Sequence, residues 1–199
     1  MHIFCSDLEG VFVPEVWINV AKRTGIEELR LTTRDVPDYD VLMTHRLKIM
    51  AQHELTLRDI QEVIASIAPL EGAREFLDWL RTRMQVIVVS DTFREFADPL
   101  MAQLGRPTLM CHSLTVDQRG MIVDYNLRQK DPKRRVVQAL HSLNYRVVAM
   151  GDSYNDTSML MEADQGILFR PPQNVVAEFP QFPVVTGYAQ VKELLEPFL

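Results

Sequence analysis

Residues able to do chemistry stand in four short clusters. Asp7-Leu8-Glu9-Gly10 follows the apolar run Ile3-Phe4-Cys5. Ser90-Asp91 follows VIVV, Asp131-Pro132-Lys133 opens a helical pattern, and Gly151-Asp152-Ser153-Tyr154-Asn155-Asp156 follows RVVAM. Two carboxylates two residues apart repel unless something cationic sits between them. A carboxylate can attack phosphorus and form an aspartyl-phosphate. An anion approaching a phosphate dianion needs its charge cancelled, and a Mg²⁺ held by carboxylates provides part of that. We read Asp7 as nucleophile and metal ligand and Asp152 as the second metal carboxylate. Lys133 and Ser90 clamp the phosphoryl oxygens, with Asp91 beside them as a further phosphate contact. Glu9 protonates the leaving oxygen and then, as a base, activates water. Gly10 lets backbone approach the phosphate. Taken singly, each acid is also an ordinary loop residue. Ser153-x-x-Asp156 and Thr92-x-x-Glu95 both fit capping boxes, a structural role. The joint order, each cluster at a strand end or helix start, favours the metal-phosphate reading.

Positioning these clusters requires a sheet. Residues 3–6, 86–89, 146–150 and 167–169 read as short buried strands. Helical patterns over 71–83, 93–104, 132–143 and 153–163 separate or follow them. Pro99 should kink or divide the second, and Asp131 and Pro132 supply N-cap and first turn for the third. The alternation predicts an α/β fold: a Rossmann-like parallel sheet with helices on both faces, and ligands beyond the carboxyl ends of its strands. Roughly 75 residues separate the first two strands, where a crossover needs about a dozen. That stretch looks helical: VWINVAKRTG ends on a Gly cap, YDVLMTHRLKIMAQH is amphipathic, and Thr56 begins a capping-box pattern. We expect a core of residues 1–13 and 69–199, with a helical cap, 14–68, inserted after the first strand and hinged near Val13-Pro14 and Pro69. Trp17 and Met43 read as cap packing, with a lining of the cap as the alternative. SLTVDQRGMIVDYNL (113–127) reads as a β-hairpin and YAQVKELLEPFL as a closing helix.

The 199 residues are 47% hydrophobic and 24% charged, ordinary for a globular chain. A net charge of −6 argues against nucleic acid or an anionic membrane as a partner. Cys5 and Cys111 read as unpaired thiols, and the five histidines show no metal-binding spacing. The N-terminus has no signal-peptide pattern, and no apolar run approaches the ~20 residues of a membrane span. The expected setting is the cytoplasm.

DLEGV, VVSDT, DPK and GDSYND, in that order, resemble the four motifs of the haloacid dehalogenase superfamily of phosphotransferases. The helical insert is similar to the small cap of that superfamily. PLEGA (69–73) resembles the phosphoserine phosphatases, and the opening DLEG the bacterial group that combines phosphoserine hydrolysis with phosphoryl transfer to homoserine. The resemblance implies Mg²⁺ as cofactor, with Asp7, Asp152 and the backbone carbonyl of Glu9 as ligands and Asp156 behind them. It also implies a cap glutamate at Glu15 for the substrate amine and a cap arginine at Arg46 for its carboxylate, and we add Asn155 as a substrate contact. The superfamily usually has Asp where Glu9 stands. The longer acid bears on how water is activated, and it leaves open an alcohol such as homoserine as acceptor. The expected activity is hydrolysis of O-phospho-L-serine through phospho-Asp7. Transfer to homoserine, another small phosphate ester, or a non-catalytic phospho-ligand binding role are the alternatives.

Overall fold

A computed structural model describes residues 1–33, 35–36 and 38–199. Strand β1 (His2–Ser6) is buried on both sides: Phe4 joins one apolar cluster, Ile3 and Cys5 the other. Such a strand can sit only in the middle of a covered sheet. It pairs in parallel with β2 (Gln85–Phe93) and β5 (Arg146–Gly151), and Ser6 lies opposite both Val88 and Met150. Asp7 and Asp152 therefore follow two adjacent strands at one edge of the sheet, and Ser90, expected at a strand end, lies within β2 just beyond the residues that pair with β1. With β3 (Thr108–Val116), β4 (Ile122–Asn126), β6 (Gln165–Phe169) and β7 (Val184–Val185), the order is β4-β3-β2-β1-β5-β6-β7. All pairs are parallel except β3 with β4.

Helices cover both faces, as the alternation predicts. α4 (Ala73–Arg81) packs Phe76, Leu77 and Leu80 on the Phe4 side. α6 (Pro132–Ser142) packs Val136, Val137 and Leu140 on the Ile3 side, with Met159 and Leu160 of α7 (Thr157–Glu162). Between β1 and α4 come α1 (Val16–Thr24), a 3₁₀ turn (Glu27–Arg30), α2 (Tyr39–Gln52) and α3 (Leu57–Ala65). Gly25 caps α1 in the left-handed region, φ 73°, and Thr56 and Asp59 form the capping box of α3. After β2 runs α5 (Arg94–Gln103), and α8 (Gln173–Glu178) and α9 (Tyr188–Leu195) complete the chain's helices of this type among the described residues. Among those residues no helix is long and apolar enough to cross a membrane.

Four expectations are revised, each by a specific contact or boundary. Pro99 does not divide α5. A proline cannot donate to the carbonyl four residues back, but that carbonyl, Glu95 O, accepts instead from Gln61 Nε2 of α3 at 2.7 Å. Thr92 and Glu95 form no capping box, because β2 continues to Phe93 and the Glu95 carboxylate accepts the Leu114 N–H across to β3, 2.9 Å. Asp131 holds the N-cap position of α6 at φ 51° without bonding the helix, its side chain accepting from Ser158 Oγ. The expected 153–163 helix is a 3₁₀ turn, Tyr154–Asp156, followed by α7. The hairpin is present, but β3 begins at Thr108 and also extends the parallel sheet along β2.

Gln61→Ala should lower stability by about 1 kcal/mol by leaving the Glu95 carbonyl without its donor. In a Pro99→Ala background, which restores a helical N–H at position 99, the loss should shrink. Thermal or denaturant melts of the four proteins check this, and equal losses in both backgrounds would remove Pro99 from the explanation.

Candidate active site

The strand ends converge as the topology requires. Asp7 N donates to Met150 O across β1 and β5 at 2.9 Å, which fixes the nucleophile position beside the Gly151-Asp152 turn. Asp7, Asp152 and Asp156 are all buried, and each offers a carboxylate oxygen within 4.8 Å of the others. Two glycines make that spacing possible. A Cβ on Gly10, which has φ +73°, would lie 2.4 Å from Asp152 Cγ, and one on Gly151 would lie 2.3 Å from Asp156 Cγ. The close approach at Gly10 is thus to a carboxylate.

Lys133, at the second position of α6, is 2% exposed, and its ammonium lies among acids: 2.7 Å from Asp156 Oδ1, 3.0 Å from Asp7 Oδ1 and 3.6 Å from Asp91 Oδ2. Burial alone would lower its pKa, but Asp156, Asp7 and Asp91 outweigh that and hold it well above the ordinary lysine value. Asp7 is pushed well above the carboxylate range by burial, then by Asp156, against the pull of Lys133. Three carboxylates around one ammonium, with Asp152 beside them, leave the cluster short of positive charge. Its donors are hard oxygens, which suit a small hard divalent cation. Asp156 contributes less as an open ligand than as a brace. Its Oδ1 takes Lys133, and its Oδ2 accepts the N–H groups of Asp152 and Ser153, so the capping box expected at 153–156 also fixes the acid cluster.

Glu9 reaches elsewhere. Its Oε2 accepts the Val16 N–H at the start of α1, 2.8 Å. Burial and the neighbouring Glu15 push its carboxyl up to about 7, against the Val16 bond and the Arg46 and Lys133 charges. A carboxyl of that kind can give or take a proton near neutrality. Ser90 is buried, and its Oγ accepts from Thr92 N at 3.2 Å, which leaves its O–H to donate. Asp91 is held ionised: burial raises its pKa, but Lys133, His112 and Asn155 outweigh this and hold it well below the usual range. An anion repels phosphate, so any phosphate contact of Asp91 can run only through its backbone. Asn155 Nδ2 donates to Asp91 Oδ2 at 2.9 Å, and its Oδ1 accepts from Ser153 Oγ.

From the insert, Arg46 enters the same cleft. It is 5% exposed, its guanidinium lies 4.4 Å from the centre of the Trp17 ring, and burial lowers its pKa to about 10. Nη2 donates to the Leu31 carbonyl and Nη1 to Met43 Sδ, while the buried Nε has no hydrogen-bond partner. Glu15 occupies the N-cap position of α1, makes no capping bond with its side chain, and lines the same cleft.

Asp7, Glu9, Glu15, Arg46, Ser90, Asp91, Lys133, Asp152 and Asn155 thus line one cleft, with Asp156 buried beneath. Trp17, expected as cap packing, lines it too, as do Tyr39 and Thr92. Tyr39 Oη donates to the Asp91 carbonyl at 3.0 Å, and His112 lies 3.5 Å from the Asp91 carboxylate. Sequence reading misses both: Tyr39 is one aromatic at the start of a helix, and His112 is placed only by the pairing of β3 with β2.

A family model for haloacid dehalogenase-like hydrolases matches residues 7–164. The chain is 62% identical over 192 residues to "Phosphoserine phosphatase ThrH" of Pseudomonas aeruginosa, covering 96% of this chain and 94% of that one. It is 61% identical over 193 residues to a phosphoserine phosphatase of Pseudomonas syringae pv. tomato, covering 97% and 81%. Among solved structures, a substrate-bound phosphoserine phosphatase complex superposes with TM-score 0.74 at 20% identity, over 92% of each chain. A phospho-aspartyl intermediate analogue of phosphoserine phosphatase gives 0.73, also at 20% identity and over 92% of each chain. At that identity these two speak for the fold.

Gly10→Ala should cost about 2 kcal/mol of stability, since it adds a side chain in a left-handed conformation. Because the new Cβ overlaps Asp152, it should also reduce turnover of phosphate esters on the order of a hundredfold. A melting curve and a phosphate-release assay test the two effects separately. Wild-type turnover would mean that Asp152 need not hold its place.

Proposed function

Because the chain belongs to the haloacid dehalogenase-like hydrolases, we propose that it is a Mg²⁺-dependent phosphomonoesterase that hydrolyses O-phospho-L-serine through Asp7. The observation that carries the substrate is Arg46, a buried guanidinium that lines the acid cluster's cleft and whose Nε has no hydrogen-bond partner. A planar fork of donors in that state suits a carboxylate. Glu15, on the same wall, supplies the anion for an α-amine. The names carried by the two Pseudomonas relatives support the same substrate.

In this reading Asp7, Asp152 and the backbone of Glu9 hold the metal, and Mg²⁺, when bound, cancels charge between Asp7 and the incoming phosphoryl group. Lys133 and Ser90 hold phosphoryl oxygens by N–H and O–H donation. The Asp7 carboxylate attacks phosphorus, the P–O ester bond breaks, and Glu9 gives its proton to the leaving serine oxygen. Glu9, now ionised, takes a proton from water as that water attacks phosphorus. The P–O bond to Asp7 breaks and inorganic phosphate leaves. The Val16 N–H engages one oxygen of Glu9, and in this reading the other carries the proton. Residues 14–68 act as the cap that excludes bulk water while phospho-Asp7 exists, turning at Val13-Pro14 and Pro69. The cytoplasm, where both cysteines stay unpaired thiols, is the setting we assign.

A second reading, transfer of the phosphoryl group to an alcohol such as homoserine, draws on one observation. A wider groove opens beside the cleft and shares Tyr39, Asp91, Lys133, Ser153 and Asn155 with it, which gives an acceptor room near Asp7.

Purified protein with Mg²⁺ and O-phospho-L-serine should release phosphate, and Asp7→Asn should release none; turnover in that variant would remove Asp7 as nucleophile. Adding L-homoserine distinguishes the readings: phosphohomoserine signals transfer, phosphate alone hydrolysis. Arg46→Lys keeps the charge but loses the fork. It should raise KM for phosphoserine on the order of a hundredfold while sparing phosphoethanolamine, which lacks the carboxylate. Equal losses on both esters would rule out an amino-acid pocket at Arg46.

A further inference from the structure

His112 belongs to none of the motifs, yet it is 4% exposed and lines the wider groove together with Asp91 and Lys133. Its ring is oriented by two contacts. The Arg128 N–H donates to Nδ1 at 3.1 Å, so Nδ1 carries a lone pair and the proton is on Nε2. Nε2 points at Asp91 Oδ1, 3.5 Å away. Phe93 and Tyr39 pack around the ring, with centroids 6.3 and 6.4 Å away. Asp91 is the third acid near the Lys133 ammonium and the most distant, at 3.6 Å against 2.7 and 3.0 Å. Its other oxygen is taken by Asn155, and its carbonyl by Tyr39.

This geometry has a cost and a remedy. Lys133 must present N–H donors to a phosphoryl group, and an adjacent loose carboxylate would compete for them. Asp91 is placed to do so. Asn155 donating to Oδ2 and the His112 ring 3.5 Å from Oδ1 hold it at the edge of ion-pair distance instead. We propose that His112 is a positioning residue: through Nε2–H it holds the Asp91 carboxylate back, so that Lys133 keeps its ammonium for the phosphoryl oxygens. The inference rests on Lys133 acting as the clamp. Neither Asp91 nor His112 needs to touch substrate for it to hold.

Removing the donor should let Asp91 swing toward Lys133. His112→Leu should weaken competitive inhibition by inorganic phosphate, and raise KM for O-phospho-L-serine, by about tenfold, the worth of one hydrogen bond to a charged group. The change in kcat should be smaller. His112→Gln, whose Nε2 reaches the same point, should stay near wild type, whereas His112→Asn, whose amide stops short, should behave like Leu. In an Asp91→Asn background, which has no carboxylate to restrain, His112→Leu should have no further effect on phosphate inhibition. The same factor in both backgrounds, or Gln and Asn alike, would overturn the proposal and leave His112 a packing residue. If His112→Leu does not fold, the Gln and Asn pair carries the test. Lys133→Ala is the control for the premise: wild-type phosphate inhibition there removes the clamp itself. Loss there with an unaffected His112→Leu removes only the role of His112.

Discussion

The structure is organised around one buried ammonium. Lys133 is held among Asp156, Asp7 and Asp91 at distances of 2.7, 3.0 and 3.6 Å. Taking charges from water is costly, and a buried lysine persists only where acids surround it. Here the acids outnumber it, and Asp7 is left strained toward its neutral form. That imbalance suits a centre built to receive a divalent cation and a phosphoryl group, because both complete a charge pattern that the protein alone leaves open. Other features follow from it. Gly10 and Gly151 lack side chains where the carboxylates crowd, and Asp156 spends both oxygens bracing the turn that carries Asp152.

The insert contributes a different kind of electrostatics. Arg46 is buried against Trp17 with a carbonyl and a thioether for hydrogen-bond partners, and burial lowers its pKa against the pull of Glu9 and Glu15. Glu9 lies between the two regions. It caps α1 through Val16 and lines the acid cleft, and its own burial and then the charge of Glu15 raise its pKa. A shorter acid at position 9 would have less reach to that helix start, which gives the extra methylene a structural role as well as a chemical one. The hairpin joins in from the far side. Leu57 N donates to Gly120 O, Tyr125 bonds Asp40, and Gln61 satisfies the carbonyl that Pro99 leaves open. The helical segment is therefore anchored on α5 and the β3–β4 turn.

Much of this was legible in the residues. Short apolar runs ending in acids marked β1, β2 and β5, because a buried parallel strand needs a continuous apolar stretch, although β2 runs on through Ser90 and Asp91 to Phe93. The Gly25 cap and the Thr56-Asp59 box were legible because they involve neighbours in the chain. Thr92-x-x-Glu95 carried the same local signal and misled, since β2 continues through Thr92 and Glu95 found a partner in β3. Pro99 misled similarly: its local penalty is real, and a side chain 38 positions earlier in the sequence removes part of it.

The sequence by itself determined the sheet's central strands, the convergence of Asp7, Ser90, Lys133 and Asp152, and the presence of a long helical insertion. Each is written in hydrophobic period, turn residues or a motif confined to a few neighbours. Only the tertiary structure decided that Trp17 and Tyr39 line the cleft, that Arg46 is buried with its Nε unsatisfied, and that His112 stands behind Asp91. These depend on which strand lies beside which and how the insert folds back. Pairing between distant segments is set by burial of whole faces, which no local window of the chain contains.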